Sequence, residues 1–471
     1  MPATQPADRA ARKVSGAYYT PPALVELLAE RTVTDLAEHL SSMPEPIRVL
    51  DPACGDGRVL DAIGARLRGL GVDAVLVGCD IDARALDRAR SLGVRTVHGN
   101  ALDLEWGDDR FDVVIGNPPY LSQMATTTTR GGSSRHGGGP YADAAAEFLA
   151  LSVALADPRH GRISLVLPQS ILASRDAAPI RDRVGRLADH AWSWWSRDQQ
   201  WFDASVNVCV VGFRRPATRP VDPLAWTSVV TDRLGVPHLD SGVLDTDGPL
   251  GDRAELNANF RDEYYALVPA VGDHPDGPPL VTSGLIDPGC CRWGETPVTF
   301  AKRRFERPRV DLSRLEGRFA AWAVRKLVPK VLIANQTRRL EAVADIDGAW
   351  LPGVPVITAT PLVDDAAAAC ELVRRIEAVL CSPVAAAFCW HLGAGTGLSA
   401  TTVRLSPAGI ASIPWPAGDL ADAVDALELG DLEGCGRAVG GAYGLDGPLL
   451  DELLTWWIAG LPARDGAVAR R

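Results

Sequence analysis

The sequence predicts an α/β fold: a doubly wound, mostly parallel sheet followed by a mixed α+β domain. Three observations carry this. Short apolar runs alternate with helical stretches from 47 to 116. The runs are almost continuously apolar, as strands buried on both faces are. Glycines, acids and an amide gather where the runs end, the edge at which doubly wound sheets bind ligands.

The elements follow in order. IRVLD (47–51) reads as a strand and Arg58 to Leu70 as a helix. AVLVGCD (74–80) reads as a strand and Ala83 to Ser91 as a helix. VRTVHGN (94–100) and FDVVIGN (111–117) are further strands. A helix over 143–156, a strand over 162–167 and a late strand over 206–213 extend the sheet. Residues 1–14 are expected to be disordered, and 15–216 to form the first domain. Prolines in RRPATRPVDP (214–223) mark a linker. A second domain is expected over 217–416, and an acidic helical tail over 417–471. The polar, glycine-rich stretch TTTTRGGSSRHGGGP (126–140) cannot offset its ordering entropy by burial and reads as a mobile loop.

Composition narrows the classes. The chain has 471 residues, 46% hydrophobic and 23% charged, which is globular. The opening MPATQPADRAARK lacks the apolar core of a secretory signal, and no apolar run is long enough to span a bilayer. A cytoplasmic protein without a membrane partner is expected. The nine cysteines are scattered and form no CxxC pair, so neither a disulfide framework nor a metal site is expected. The net charge of −11 speaks against nucleic acid, but it hides a basic stretch. Between 302 and 339 twelve Lys and Arg face three acids, an excess of nine. Taken alone, that stretch reads as a solvated face with ion pairs.

The first candidate site is LDPACGDGRVLDAI (50–63). Asp51 closes a strand, and Ala53, Gly55 and Gly57 let backbone approach a ligand closely. The spacing is neither the dinucleotide GxGxxG nor a phosphate loop, so neither NAD nor ATP is favoured. In GCDID (78–82), Asp80 stands where a carboxylate accepts two ribose hydroxyls, followed by Ile81. In HGNAL (98–102), Asn100 with Ala101 could read an adenine edge. Any one of these is more often a helix cap. Two acids and an amide ending three successive strands point to a nucleoside-like ligand.

The second site is VIGNPPY (114–120). Pro118 and Pro119 fix two φ angles and remove two donors, and Asn117 before them is held extended. The corner offers two acceptors, Asn117 Oδ1 and the Pro118 carbonyl, with the aromatic face of Tyr120 beside them. An exocyclic amine has a lone pair delocalised into its ring. Accepting both of its N–H bonds favours a pyramidal nitrogen whose lone pair can attack. In isolation the motif is a structural turn. After a buried strand, one strand beyond a nucleotide site, the catalytic reading gains.

In this order the motifs resemble the gamma-type adenine-N6 DNA methyltransferases of restriction–modification or phage-defence systems. The resemblance runs through GAYYTPPALVELL (16–28), LDPACGDGRVLDAI, GCDID, HGNAL, VIGNPPY, YADAAAEFL (141–149), GRISLVLPQSIL (161–172) and WFDASVNVCVVGF (201–213). It implies a class I methyltransferase fold, S-adenosylmethionine as cofactor and double-stranded DNA as partner. It implies that Thr20, Asp51, Ala53, Cys54, Gly55, Asp80, Ile81, Asn100, Ala101 and Asn117 line the cofactor. Asn117, Pro118, Pro119 and Tyr120 would hold a flipped adenine, with Tyr120 and Phe202 stacking on it. Phe202 also reads as core filler near Trp194, Trp195 and Trp201. Asn100 departs from the acid that the family usually carries there.

LVTSGLIDPG (280–289), VPKVLIANQTRRL (328–340) and LSPAGIASIPWP (405–416) resemble pieces of a target-recognition domain. There the resemblance gives the basic stretch a role, with Arg303, Arg304, Gln336, Arg338 and Arg339 as candidate DNA contacts. A cognate nuclease, if one exists, is expected on a separate chain, since only about fifteen residues precede the TPP stretch. The competing readings are an RNA or protein-glutamine methyltransferase with the same NPPY chemistry, or a DNA-binding subunit that needs a partner. A C5-cytosine enzyme needs a Pro-Cys nucleophile, and the chain has no Pro-Cys dipeptide.

Overall fold

The computed structural model describes residues 19–37, 39–40, 43, 46–120, 136–140, 142–195, 206–222, 225–239, 242–259, 261–399 and 401–460. The chain divides into two compact units, 1–230 and 231–471.

The first unit is built on seven strands: β1 (Ile47–Asp51), β2 (Ala74–Asp80), β3 (Arg95–His98), β4 (Val113–Gly116), β5 (Arg162–Pro168), β6 (Asp189–Trp195) and β7 (Val208–Arg214). Their order is β3-β2-β1-β4-β5-β7-β6. The first five run parallel, and β7 is antiparallel to both β5 and β6. This is the class I methyltransferase topology that the sequence predicts. The order switches direction between β1 and β4, which pair through Val49↔Val113 and Leu50↔Val114. Their carboxyl ends therefore open side by side, at the place where such sheets bind ligands.

Five helices flank the sheet: α1 (Pro22–Ala37), α2 (Arg58–Gly69), α3 (Ala83–Ser91), α4 (Ala144–Leu155) and α5 (Ala178–Leu187). Leu24, Leu28 and Leu36 of α1 and Leu60, Ile63 and Leu67 of α2 share one buried cluster with Val49, Val113 and Ile115. Each such side chain contributes about 1.5–3 kcal/mol on burial. Asp82 caps α3 by accepting from the backbone N–H groups of Arg84 and Ala85. Buried Asp35 pins α1 to the sheet, with its carboxylate on Arg162 of β5 (3.1 Å) and Arg214 of β7 (2.5 Å).

Two departures have physical causes. β6 is a strand that the sequence reading does not include, because DHAWSWW lacks an apolar run. Its pairing with β7 shifts register between His190 and Trp192, and Trp192 lies flat on Gly212, where a Cβ would stand 2.2 Å from its Nε1. The division between units falls at 230/231 rather than at 216. After the prolines the chain stays attached: the Phe213 and Trp226 rings are 5.3 Å apart, and Trp195 Nε1 donates to the Val229 carbonyl at 2.9 Å.

The second unit holds a four-stranded antiparallel sheet, ordered Ala342–Asp345, Lys330–Ala334, Val356–Pro361, Ala254–Ala258. Fully buried Lys330 pairs with buried Asp345 at 2.5 Å. The residues after 416 do not stand apart as a tail. Helices Ala421–Glu428, Leu432–Ala442 and Gly447–Ile458 are part of this unit, and Val439, Leu453, Leu454 and Trp457 are buried in it. Among the described residues no single helix is long and apolar enough to cross a membrane.

Candidate active site

Three strand ends build the first half of the site. Asp51 ends β1 with 2% of its surface exposed, and its Oδ1 accepts the Ala53 N–H at 3.0 Å. Burial pushes its carboxyl up to about 8; the Ala53 N–H opposes this and the charge of Asp80 adds to it. An acid raised in this way gains from a cationic partner, which would favour its ionised form. Asp80 ends β2. Its Oδ2 accepts the Gly55 N–H at 2.8 Å and its Oδ1 accepts the Asp82 N–H at 2.9 Å. The glycine turn is open: a Cβ on Gly55 would meet only Tyr19, at 3.9 Å. Ile81 beside it is 63% exposed.

Asn100 lies past the end of β3, and its amide is already engaged. Oδ1 accepts the Leu102 N–H at 3.2 Å, and Nδ2 donates to Asp103 at 2.8 Å. Asn100 thus closes a turn rather than capping a helix, and it holds the carboxylate of Asp103. Ala101 is buried, and its carbonyl accepts from Trp106 Nε1 at 3.0 Å.

The second half is the corner after β4. Gly116 is in close contact with Asp51: a Cβ there would stand 2.4 Å from Asp51 Oδ1. The Asn117 amide is held at both ends. Nδ2 donates to Thr20 Oγ1 at 3.1 Å, and Oδ1 accepts from the Tyr120 hydroxyl at 2.5 Å. Tyr120 also reaches the Val166 carbonyl at 3.3 Å, and its ring packs partly on the core cluster. Burial raises its phenol well above the ordinary range, so it stays a donor. The Tyr120 hydroxyl thus holds the Asn117 oxygen in place, a contact that the sequence reading did not include. Pro118 is buried and Pro119 half-buried. Phe202 lies outside the described residues, as does most of the 126–140 loop. The described end of that loop is tethered by Glu147, which accepts from His136 N (2.9 Å) and Gly138 N (3.2 Å).

Sequence reasoning missed the strut behind Thr20. Arg58 grips Asp56 through two nitrogens (2.9 and 2.6 Å), donates to the Thr20 carbonyl at 3.2 Å and lies 4.8 Å over the Tyr19 ring. The signal was present as GDGR in the glycine turn. A short acid–arginine pair there ties the TPP stretch to the β1–α2 turn.

The candidate DNA contacts separate. Arg303 and Arg304 are exposed on a hairpin, Val298–Phe300 with Arg303–Phe305, whose turn residues Ala301 and Lys302 have φ of 50° and 62°. Arg304 pairs with Glu306 at 3.3 Å. Gln336 is half-buried and Arg338 exposed. Arg339 is not placed to touch DNA. It donates to the carbonyls of Trp456 (2.5 Å) and Trp457 (2.9 Å) and lies 4.0 Å over the Trp456 ring. It satisfies carbonyls that the end of helix Gly447–Ile458 leaves open. The excess of nine is also partly spent in ion pairs, Arg314 with Asp311, Arg318 with Asp262 and Lys330 with Asp345.

Residues 49–129 match the methyltransferase domain family. The type II methyltransferase M.BanIII of Aneurinibacillus aneurinilyticus is 31% identical over 131 residues, 23% of this chain and 23% of the relative. The type II methyltransferase M.CvrRI of Paramecium bursaria Chlorella virus XZ-6E is 25% identical over 212 residues, 43% of this chain and 49% of the relative. The chain thus spans half or less of the length of these curated relatives. Among solved structures, the type IIL restriction-modification enzyme MmeI in complex with DNA superposes with a TM-score of 0.58 at 12% identity, over 95% of this chain and 79% of that one. At that identity the likeness is one of fold.

The first unit therefore holds a methyltransferase domain, and the cofactor of such a domain is S-adenosylmethionine. The residues present fit it. The raised, buried acid Asp51 gains from an ammonium, Asp80 ends β2 beside an open turn, and Ile81 is exposed.

Proposed function

We propose that this chain is a site-specific DNA methyltransferase of a restriction–modification or phage-defence system, moving a methyl group from S-adenosylmethionine to N6 of a flipped adenine. The observation that carries the reading is the contact between Gly116 and Asp51. It brings the residue before Asn117 against the acid that ends β1, which supports reading the two strand ends as one site. Further support comes from the two curated relatives, both named as type II methyltransferases.

Bound S-adenosylmethionine supplies an electrophilic methyl on a sulfonium. Asp51 ionises to hold the α-amino group, and Asp80 accepts the ribose hydroxyls. Asn117 Oδ1, with one lone pair on Tyr120, keeps the other for an amine hydrogen, and the Pro118 carbonyl takes the second. Held so, the amine lone pair would be free to attack the methyl that the bound cofactor would supply, and sulfur would leave with the electrons of the broken C–S bond. The nitrogen then sheds a proton to water, so no strong base is needed beforehand. Thr20 and Tyr120 fix the amide in advance, so orientation is not lost in the transition state. The second unit is read as the target-recognition part.

The test is long-read sequencing of DNA from a methylation-free bacterial host expressing the chain, beside an Asn117→Ala control. N6-methyladenine at one fixed motif, absent in the control, is the expected result. Unmodified DNA from soluble, cofactor-binding protein overturns the DNA reading and turns attention to RNA or protein substrates.

A further inference from the structure

The second unit carries a short strand pair, Gln336–Thr337 with Val403–Arg404, antiparallel and in register Gln336↔Arg404 and Thr337↔Val403. Directly paired residues project on one face. Thr337 and Val403 are buried at 3% and 2%, so the opposite face, with Gln336 and Arg404, points to solvent. Arg404 is exposed, and so is Arg338, which follows the strand directly after Thr337. No partner of either guanidinium is found among the described residues, whereas many arginines of the basic stretch are paired.

The groups around this face are held. Gln336 Nε2 donates to Thr402 Oγ1 at 3.3 Å, and Thr402 Oγ1 also accepts the Ser399 N–H at 3.2 Å. Thr396 Oγ1 accepts the Arg404 N–H at 3.2 Å and donates to its carbonyl at 3.3 Å. The Arg338 carbonyl accepts from Trp390 Nε1 at 2.9 Å. A Cβ on Gly397 would stand 2.0 Å from the Thr402 carbonyl, so only glycine lets the loop lie this close to the strand. At the loop tip Leu398 is 82% exposed.

We infer that this face is the base-reading edge of the second unit, with Arg404 and Gln336 as specificity-determining residues and Arg338 beside them. The inference rests on the DNA reading above. The chemistry is that of base edges rather than of phosphate alone. A guanidinium contacts guanine O6 and N7 with two hydrogen bonds, an amide contacts adenine N6 and N7 likewise, and an exposed apolar tip meets a thymine methyl. A phosphate-binding surface needs none of the amide, the apolar tip or the preset orientation. The backbone and hydroxyl contacts fix the register of these groups before DNA arrives, which lowers the ordering cost of binding.

The experiment is selection of bound duplexes from a randomised DNA library by the full chain, with methylation of the selected duplexes scored separately. Wild type, Arg404→Ala, Arg404→Lys and Gln336→Ala are compared, each checked by melting temperature and cofactor binding. Wild type is expected to select a fixed sequence. Arg404→Ala is expected to lose discrimination at one base pair by about tenfold to hundredfold, with the other positions kept. Arg404→Lys keeps the charge without the planar fork and is expected to lose the same discrimination while overall affinity stays within a few-fold. Gln336→Ala is expected to relax a different position. Among the variants, two results overturn the inference. One is a consensus unchanged in all variants. The other is affinity lost uniformly over all sequences with a shallower salt dependence, the mark of a phosphate contact. Wild type that selects no sequence also overturns it. A selected consensus without methylation instead defeats the transferase reading and leaves the recognition edge standing.

Discussion

Thr20 Oγ1 accepts a hydrogen bond from Asn117 Nδ2 at 3.1 Å, across 97 residues of chain. Thr20 is buried at 6% exposure and precedes a proline pair, so its hydroxyl is as stiffly placed as the amide that it meets. The contact decides which end of the amide faces the substrate: with Nδ2 on Thr20, Oδ1 faces Tyr120 and the pocket.

Thr20→Val keeps the shape and removes the acceptor, so the Nδ2 donor is left unsatisfied and free to turn outward. Turnover is expected to fall by roughly 10–100-fold, the order of loss that misplaced reacting groups cause. The KM for the cofactor should move little. Thr20→Ser restores the hydroxyl and should recover most of the rate. Steady-state kinetics on all three proteins make the check. An unchanged kcat in Thr20→Val would remove Thr20 from the role of positioning residue.

Tyr120→Phe tests the other end of the amide. The phenylalanine keeps the ring and its packing but drops the donor to Asn117 Oδ1. If orientation is the role of the hydroxyl, kcat falls by about tenfold while stacking on the base persists. Tyr120→Ala should lose both and fall further. The two variants separate orientation from stacking when kcat and fluorescence of 2-aminopurine at the target position are measured together.

Asp51 links stability to pH. Burial pushes its carboxyl up to about 8 in the folded chain, against 3.8 for an ordinary aspartate. Between these values the unfolded chain is ionised while the folded chain holds the proton, so stability falls as pH rises through this window and levels off above it. Asp51→Asn mimics the protonated form and keeps the acceptor for the Ala53 N–H. Its melting temperature should match wild type near pH 4 and exceed it by several degrees at pH 8.5. About 1 kcal/mol moves the midpoint by roughly 2–4 °C in a domain of this size. Cofactor affinity should fall in the same variant. A temperature difference constant across pH would show that burial does not hold the acid neutral.

Arg339→Ala should act on stability and not on DNA. The lost guanidinium leaves the carbonyls of Trp456 and Trp457 without donors, a cost of about 1–3 kcal/mol. Unfolding midpoints report this cost, and filter binding at several salt concentrations should give an unchanged slope. Exposed Arg338→Ala should show the reverse pattern.

How much of this was legible in the sequence depends on the element. β1, β2, β4 and β5 were readable because both faces are buried and the runs are apolar. β6 was not, since an edge strand of tryptophan, serine and histidine carries no period. The strand ends with Asp51 and Asp80 followed from topology alone. The roles of Tyr120 and Arg339 did not, because hydrogen bonds to carbonyls and amides 3 to 118 residues away leave no local pattern. The residues after 416 read as an acidic tail, because burial of one helical face is invisible in net charge.

Asn100 is where the chain departs from the acid usual in the family it resembles, and the geometry predicts what restoring that acid does. Asn100 Nδ2 donates to Asp103 at 2.8 Å, so the amide both ends the turn and holds a carboxylate. Asn100→Asp replaces that donor with a second negative charge beside Asp103. Two acids at hydrogen-bond distance cannot both stay ionised cheaply, so one titrates upward and the turn loosens. Cofactor affinity is therefore expected to drop severalfold at pH 7.5 rather than to rise, and to recover as pH is lowered toward 6. Asp103→Asn in the same background removes the repulsion and should restore binding at pH 7.5. Calorimetric titration of S-adenosylmethionine into the two variants decides the matter. Tighter binding by Asn100→Asp alone would mean that position 100 itself reads the adenine and that Asp103 is only a turn residue.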